Sequence, residues 1–221
     1  KSEGLFFINM LNEIKANSII DVATGTGYHS ILLKENGFNV TSLDGSKEML
    51  KKAEENAKKK NVKLNTILSD WENIPKHLAK NFDALICLGN SFTHLLSEIQ
   101  QRKVIKNFYA LLKDKGYLII DIRNYKSIKS GDYIVTNNFY YTNRNFKIEP
   151  INLDAESIKF QYTNSQNEQF YLTMNPISLD AFMRLLVNGG FEIKSIYADF
   201  RLVKDVSNEE FVCLLAEKSI Q

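Results

Sequence analysis

At 221 residues, with 44% hydrophobic and 24% charged side chains, the chain has the size and balance of one ordinary globular domain rather than a disordered or fibrous polymer. A formal net charge of +2, with lysines interleaved among acids as in Lys51-Lys52-Ala53-Glu54-Glu55, argues against the concentrated basic surface of a nucleic-acid binder. The two cysteines, Cys87 and Cys213, each sit in an apolar run and exclude both a disulfide framework and a C-x-x-C metal centre.

A reducing cytoplasm fits that cysteine usage. No apolar stretch approaches the roughly 20 residues that span a bilayer, and no basic-then-apolar signal opens the chain, so a soluble protein without membrane contact is expected. Lys1 begins directly in a helical pattern without Met, which leaves room for residues upstream.

Taken in order, Leu5, Phe6, Ile8, Met10, Leu11 and Ile14 recur at helical spacing. Ser18 to Ala23 is a β-rich run that ends in Gly-Thr-Gly. His29 to Asn36 reads as a helix stopped by Gly37, Asn39 to Asp44 as a buried strand, and Ser46 to Lys60 as a lysine-rich surface helix capped by Ser46. Strands are expected over Asn61 to Ser69, Phe82 to Leu88 and Gly116 to Arg123, with an amphipathic helix from Ser97 to Leu112. This alternation implies βαβ units, a mostly parallel α/β sheet with right-handed crossovers, and a ligand at the strands' C-terminal edge.

Between Asn124 and Asn175 the texture changes to alternating Tyr, Asn, Thr and Phe, which reads as an antiparallel β insert or lid. The α/β pattern then resumes with a helix from Leu179 to Asn188, closed by Gly189-Gly190, and strands near Phe191 to Phe200 and Phe211 to Glu217.

Chemistry concentrates at the strand ends. Asp21-Val22-Ala23-Thr24-Gly25-Thr26-Gly27 closes the first strand, where glycines let backbone approach a ligand and the next helix's N–H groups favour an anion. Seventeen residues after Gly27, Asp44 ends the second strand, placed to accept hydrogen bonds from both hydroxyls of a ribose. Both nicotinamide enzymes and methyltransferases use such a pair. A dinucleotide fingerprint needs a third glycine where this chain has Ser30, and Ser69-Asp70-Trp71 after the third strand offers an acid for an adenine amino group. Both details favour methyl transfer, although Asp70 could equally cap the next turn and Trp71 could be ordinary core.

The strings Ile86-Cys87-Leu88-Gly89-Asn90-Ser91-Phe92-Thr93-His94-Leu95 and Ile120-Asp121-Ile122-Arg123-Asn124-Tyr125, together with the stretch from Asp21 to Met49, resemble glycine N-methyltransferase and the glycine/sarcosine N-methyltransferases. The likeness is close over residues 1 to 125 and looser beyond. It implies a Rossmann-like class I methyltransferase fold over 1–221, with a seven-stranded, mostly parallel sheet, helices on both faces, and the 124–175 insert after strand 5. It also implies S-adenosylmethionine as cofactor, with S-adenosylhomocysteine as product, and a cofactor site that includes Ala23, Gly25, Gly27, Asp44, Gly45, Met49, Asp70, Trp71, Leu88 and His94. Asn90 and Arg123 would hold a substrate carboxylate, and Tyr141 would bring a hydroxyl to the methyl-transfer centre. An arginine ending a central strand is itself a reasonable carboxylate receptor, because its guanidinium fork makes two parallel charge-assisted bonds. It could also pair with a local acid, and Tyr140 and Tyr141 could be alternating lid residues. His29 and His77 carry no such motif and read as structural.

The implied substrate is a small carboxylate-bearing amine such as glycine or sarcosine, whose neutral nitrogen attacks the sulfonium methyl in line, with no metal and no covalent enzyme intermediate. The family includes homo-oligomers as well as smaller forms. Its cofactor-carboxylate arginine and an N-terminal tyrosine would precede Lys1, and its Tyr-Tyr pair before proline is replaced by Met174-Asn175. Other readings are a methyltransferase for another small molecule, a nicotinamide-dependent oxidoreductase and a non-catalytic cofactor-binding subunit. A nucleic-acid methylase is weaker, because Gly89-Asn90-Ser91-Phe92 stands where base-amino methylases carry Asn/Asp-Pro-Pro-aromatic.

Overall fold

Ile19 and Ile20 of the first strand are both fully buried, yet they belong to different cores, as side chains that alternate across a sheet must. Strands apolar on both sides are what a covered parallel sheet requires. The computed structural model describes residues 2–80, 82–126, 146–154, 157–198, 201–202, 206, 209 and 211–220. Chain order runs α1 (Ser2–Glu13), β1 (Ser18–Asp21), α2 (Tyr28–Glu35), β2 (Asn39–Asp44), α3 (Lys47–Lys59), β3 (Asn65–Leu68), β4 (Phe82–Cys87), α4 (Glu98–Leu111) and β5 (Leu112–Arg123). It continues with β6 (Phe146–Leu153), β7 (Ile158–Asn164), β8 (Gln169–Met174), α5 (Leu179–Asn188), β9 (Phe191–Ala198), β10 (Arg201–Leu202) and β11 (Phe211–Lys218), and short 3-10 turns occupy Lys76–Leu78 and Ser91–His94.

Among the described residues one sheet has the order β10-β9-β11-β5-β4-β1-β2-β3. From β5 to β3 all neighbours are parallel, whereas β11, β9 and β10 add antiparallel pairs. The expected Rossmann-like α/β fold is therefore present, with eight strands rather than seven. The extra strand is β10, two residues paired with the end of β9 (Arg201↔Ala198, Leu202↔Tyr197) and too short to carry a period-2 pattern.

One face of the sheet packs Ile20, Leu85 and Ile120 against Phe108 of α4 and Phe182 of α5. The other packs Ile19, Val40 and Ile119 against Phe7 and Leu11 of α1 and Leu33 of α2. Each large apolar side chain so buried stabilises the fold by roughly 1.5–3 kcal/mol, which is why amphipathic helices clamp both faces. β1 leads through α2 to β2 on one side, and the chain later returns to β4 on the other. The crevice between the C-terminal ends of β1 and β4 is thus the topological switch point where such sheets bind ligands.

Two boundaries differ from the sequence pattern. β3 begins at Asn65 because Asn61 adopts φ 56° and the Val62 amide donates to the Ala57 carbonyl, so residues 61–64 form the exit of α3. β5 begins at Leu112, which pairs with Phe82 before a register shift to Ala84↔Tyr117. A separate antiparallel sheet, β6-β7-β8, buries Ile148, Ile158, Phe160 and Met174 against Tyr125. Residues 127–145 of the expected insert lie outside the described residues, and Tyr141 is among them.

Candidate functional site

The end of β1 is held by a buried carboxylate. Asp21 accepts from the Ala23 amide at 3.2 Å and from Ser30 Oγ at 2.7 Å, and Ser42 Oγ donates in turn to Ser30 Oγ at 2.8 Å. Burial raises the Asp21 pKa, opposed by His29, Ser30 and the Ala23 amide. Gly25 turns at φ 53° and donates its amide to Asp44 Oδ2 at 2.7 Å, while the Ser46 amide donates to Asp44 Oδ1 at 2.9 Å. The ends of β1 and β2 are so fixed to each other.

These ends wall a cavity of about 490 Å³ whose lining includes Val22, Ala23, Gly25, Asp44, Gly45, Met49, Asp70, Trp71, Glu72, Ser91, His94 and Leu95. Apolar walls from Met49, Trp71 and Leu95 beside carboxylates from Asp44 and Asp70 suit a nucleoside, whose base wants a hydrophobic slot and whose hydroxyls and amino group want acceptors. Trp71 is fixed rather than mobile: Nε1 donates to the Val22 carbonyl at 2.6 Å, and the ring stacks on Phe92 with centroids 6.5 Å apart. Asp70 Oδ1 accepts from the amides of Glu72 and Asn73, and both oxygens accept from Asn73 Nδ2. These bonds, first the Asn73 side chain, hold its pKa below the usual carboxylate range. Asp70 therefore caps its turn and still faces the cavity. His94 is exposed at the cavity mouth, yet the protein around it lowers its pKa by desolvation.

Of the ten positions named for this site, Gly27 and Leu88 are absent from that lining. Gly27 turns at φ 90° over α3, where an added Cβ would come within 2.9 Å of Ala53 Cβ, so it lets two helices meet. Leu88 is buried in the core on the sheet face covered by α1 and α2. Val22, Glu72, Ser91 and Leu95 join the lining without having been named; each directly neighbours a named residue, which is the signal that could have found them.

At the ends of β4 and β5 lies a second buried cluster. The amides of Gly89 and Asn90 donate to the Asp121 carboxylate at 3.1 and 2.7 Å, which sets Asn90 in a left-handed conformation, φ 58°. Asn90 Oδ1 accepts from the Arg123 amide at 2.8 Å, and Nδ2 donates to Tyr125 Oη at 2.8 Å and to Met174 Sδ at 3.0 Å. The Arg123 guanidinium is buried between the Phe160 and Phe211 rings, 5.5 and 4.6 Å from their centroids. Tyr162 is close enough for the charge of Arg123 to oppose the burial that raises its pKa. The structure brings Asn90 and Arg123, which the resemblance pairs on one substrate carboxylate, within one hydrogen bond of each other. Neither His29 nor His77 lines the cavity; His29 lies close enough to Asp21 to lower its pKa and packs edge-on against Phe7 and Tyr28.

Residues 19–116 match the family model described as "Methyltransferase domain". The chain is 44% identical over 217 residues to the "Glycine/sarcosine N-methyltransferase" of Aphanothece halophytica, covering 98% of this chain and 82% of that protein. It is 40% identical over 218 residues to the enzyme of the same name from Halorhodospira halochloris, covering 99% and 81%. In fold it resembles an S-adenosylmethionine-dependent methyltransferase from Clostridium acetobutylicum, with a TM-score of 0.81, 20% identity, and coverage of 99% of this chain and 92% of that one. Identity at this level over nearly the whole length establishes that the chain belongs to the glycine/sarcosine N-methyltransferase family.

Proposed function

We propose that this enzyme transfers a methyl group from S-adenosylmethionine to the amine nitrogen of glycine or sarcosine, with the cavity at the ends of β1 to β3 as cofactor site and Arg123 as carboxylate receptor. The observation that carries the acceptor assignment is the buried guanidinium at the end of β5, one strand from the cavity and walled by Phe160 and Phe211. A buried cation in an aromatic slot discriminates strongly for a small anion, and the fork matches a carboxylate in two parallel bonds.

The cavity's chemistry fits the cofactor. Asp44 would hold the ribose, Asp70 the adenine amino group, and Met49, Trp71 and Leu95 the faces of the base. When bound, S-adenosylmethionine supplies an electrophilic methyl group on a sulfonium. The protein's own contribution is alignment, which can lower a barrier by several kcal/mol when reacting atoms are held close and in line. Arg123 fixes the acceptor by its carboxylate and leaves the amine to be aimed. The Asn90 Nδ2 hydrogen now directed at Met174 Sδ, a weak acceptor, is the one a substrate carboxylate would capture. Tyr141 belongs to the same reading as a hydroxyl near the transferred methyl.

The nitrogen must attack as the free base, so turnover should rise with pH until the amine is deprotonated. A flat profile from pH 6 to 10, with chemistry rate-limiting, would contradict direct attack. No helix among the described residues is long and apolar enough to cross a membrane. We place the enzyme in the cytoplasm, acting on an amino acid rather than a nucleic acid. A panel of glycine, sarcosine, dimethylglycine and amines without a carboxylate tests the assignment directly, beside Arg123→Ala.

A further inference from the structure

The 3-10 turn Ser91–His94 has two faces. Ser91, His94 and the following Leu95 line the cavity. Thr93, and Asn90 just before the turn, are buried on the other side, where they close a ring of hydrogen bonds with Tyr125. Asn90 Nδ2 donates to Tyr125 Oη at 2.8 Å, Tyr125 Oη donates to Thr93 Oγ1 at 3.1 Å, and Thr93 Oγ1 donates to the Asn90 carbonyl at 2.8 Å. Each hydroxyl accepts once and donates once, so the bonds run one way around the ring and polarise one another. Met174 Sδ lies 3.4 Å from Tyr125 Oη, but the nearer and stronger acceptor for that single proton is Thr93 Oγ1. Desolvation raises the Tyr125 pKa, against the pull of Thr93, Asn90 and Arg123, so the hydroxyl keeps its proton.

The ring is tied to the acceptor side at two points. Asn90 Oδ1 accepts the Arg123 amide at 2.8 Å, and the Thr93 carbonyl accepts the Asn175 amide at 2.7 Å, beside β8. The turn and its two flanking residues therefore present Ser91, His94 and Leu95 to the cavity, while Asn90 on the other side holds the backbone that carries Arg123.

We propose that Thr93 and Tyr125 are positioning residues whose hydrogen-bond ring couples acceptor binding at Arg123 to the grip of the Ser91–His94 turn on the cofactor. The inference rests on the acceptor reading above. A carboxylate on Arg123 that also captures the Asn90 hydrogen now given to Met174 adds a strong acceptor to an amide already set by the Arg123 amide and Tyr125. The reinforced amide keeps the ring from opening, and the closed ring holds Ser91, His94 and Leu95 in place against the cofactor. Coupling of this kind is reciprocal, so each ligand tightens the other by the same factor.

The test is titration of the full chain with S-adenosylhomocysteine, with and without saturating sarcosine, alongside steady-state kinetics. Sarcosine should tighten S-adenosylhomocysteine binding at least several-fold, within the roughly 5- to 150-fold range usual for coupled sites. Thr93→Ser keeps the hydroxyl and should retain the effect. The near-isosteric Thr93→Val, and Tyr125→Phe, should abolish it, while S-adenosylhomocysteine alone binds within about 3-fold of wild type and the sarcosine KM rises about 10-fold with kcat little changed. Full enhancement in Thr93→Val, or none in the wild type, would overturn the coupling even where sarcosine is methylated. Failure of the wild type to methylate sarcosine or glycine would overturn the acceptor reading, and the coupling with it. Thr93 decides the matter if Tyr125→Phe does not fold.

Discussion

In the proposed reading Arg123 and Asp44 carry the chemistry that separates this site from a generic crevice, and each can be replaced without changing much volume. Arg123→Lys keeps a charge but loses the bidentate fork, which at a charge-assisted carboxylate is worth about 1.5–3 kcal/mol. The expected result is an acceptor KM about 10- to 100-fold higher with cofactor affinity nearly unchanged, read from steady-state kinetics and a cofactor titration. Asp44→Asn replaces an acceptor of the Gly25 and Ser46 amides with a group that can satisfy only one of them. Cofactor affinity should fall at least 10-fold by calorimetry, and an unchanged affinity would remove Asp44 from the site. At this scale the sequence was informative where a motif couples residue type to strand end, as at Asp21, Asp44, Asp70 and Arg123. It was uninformative about direction: Gly27 and Leu88 sit inside the same motifs as the cavity residues, yet one lets α2 meet α3 and the other faces the core. The Asn90–Thr93–Tyr125 ring was not legible, because it joins positions some 30 residues apart through hydroxyl orientations that no spacing encodes.

Between elements, the parallel strands β1, β4 and β5 are joined at the end opposite the site by Asp83. Its carboxylate accepts from the Asn17 and Ser18 amides at 3.0 and 2.8 Å, from Ser18 Oγ at 2.9 Å and from Lys113 Nζ at 2.7 Å. Burial alone would raise its pKa, but the bonds from Lys113, Ser18 and Asn17 together outweigh that and hold it far below the usual carboxylate range. Because the folded value lies below the unfolded one, the stabilisation is fully present above the ordinary carboxylate pKa near 4 and is lost progressively as pH falls below it. Asp83→Asn should therefore destabilise the protein at pH 7 by about 1–3 kcal/mol and flatten the acid limb of its stability curve. Equal denaturation midpoints for the two proteins at pH 7 would show that the clamp contributes nothing. Element identity was largely readable from the alternation of apolar periods, and α5 falls on the expected Leu179 to Asn188. Boundaries moved where local backbone chemistry intervened, at the left-handed Asn61 and at the register shift before Tyr117.

For the whole molecule, the eight-stranded sheet, with helices packed on both faces, places the cavity and the Arg123 cluster on one edge, joined by a single 3-10 turn. A ligand that binds only the folded state stabilises it by mass action, about 2.7 kcal/mol at a hundredfold excess over its Kd. In a chain of this size S-adenosylhomocysteine at that excess should raise the Tm by about 5–10 °C, and NAD should not. A comparable shift with NAD would favour the oxidoreductase reading that Ser30, in place of a third glycine, argues against; the Ser30 hydroxyl is instead occupied in anchoring Asp21. The α/β architecture followed from the βαβ rhythm, whereas the two-residue β10 and the antiparallel pairing of β11 with β5 depend on long-range contacts that local patterns do not record.

The most direct measurement is methyl transfer from S-adenosylmethionine by the purified protein to glycine and sarcosine, run beside amines of similar size that lack a carboxylate. The predicted result is product from glycine or sarcosine, none from the carboxylate-free amines, and loss of turnover in Arg123→Ala with cofactor binding intact. Equal methylation of carboxylate-free amines, or full activity in Arg123→Ala, would contradict the assignment of Arg123 as the acceptor's anchor.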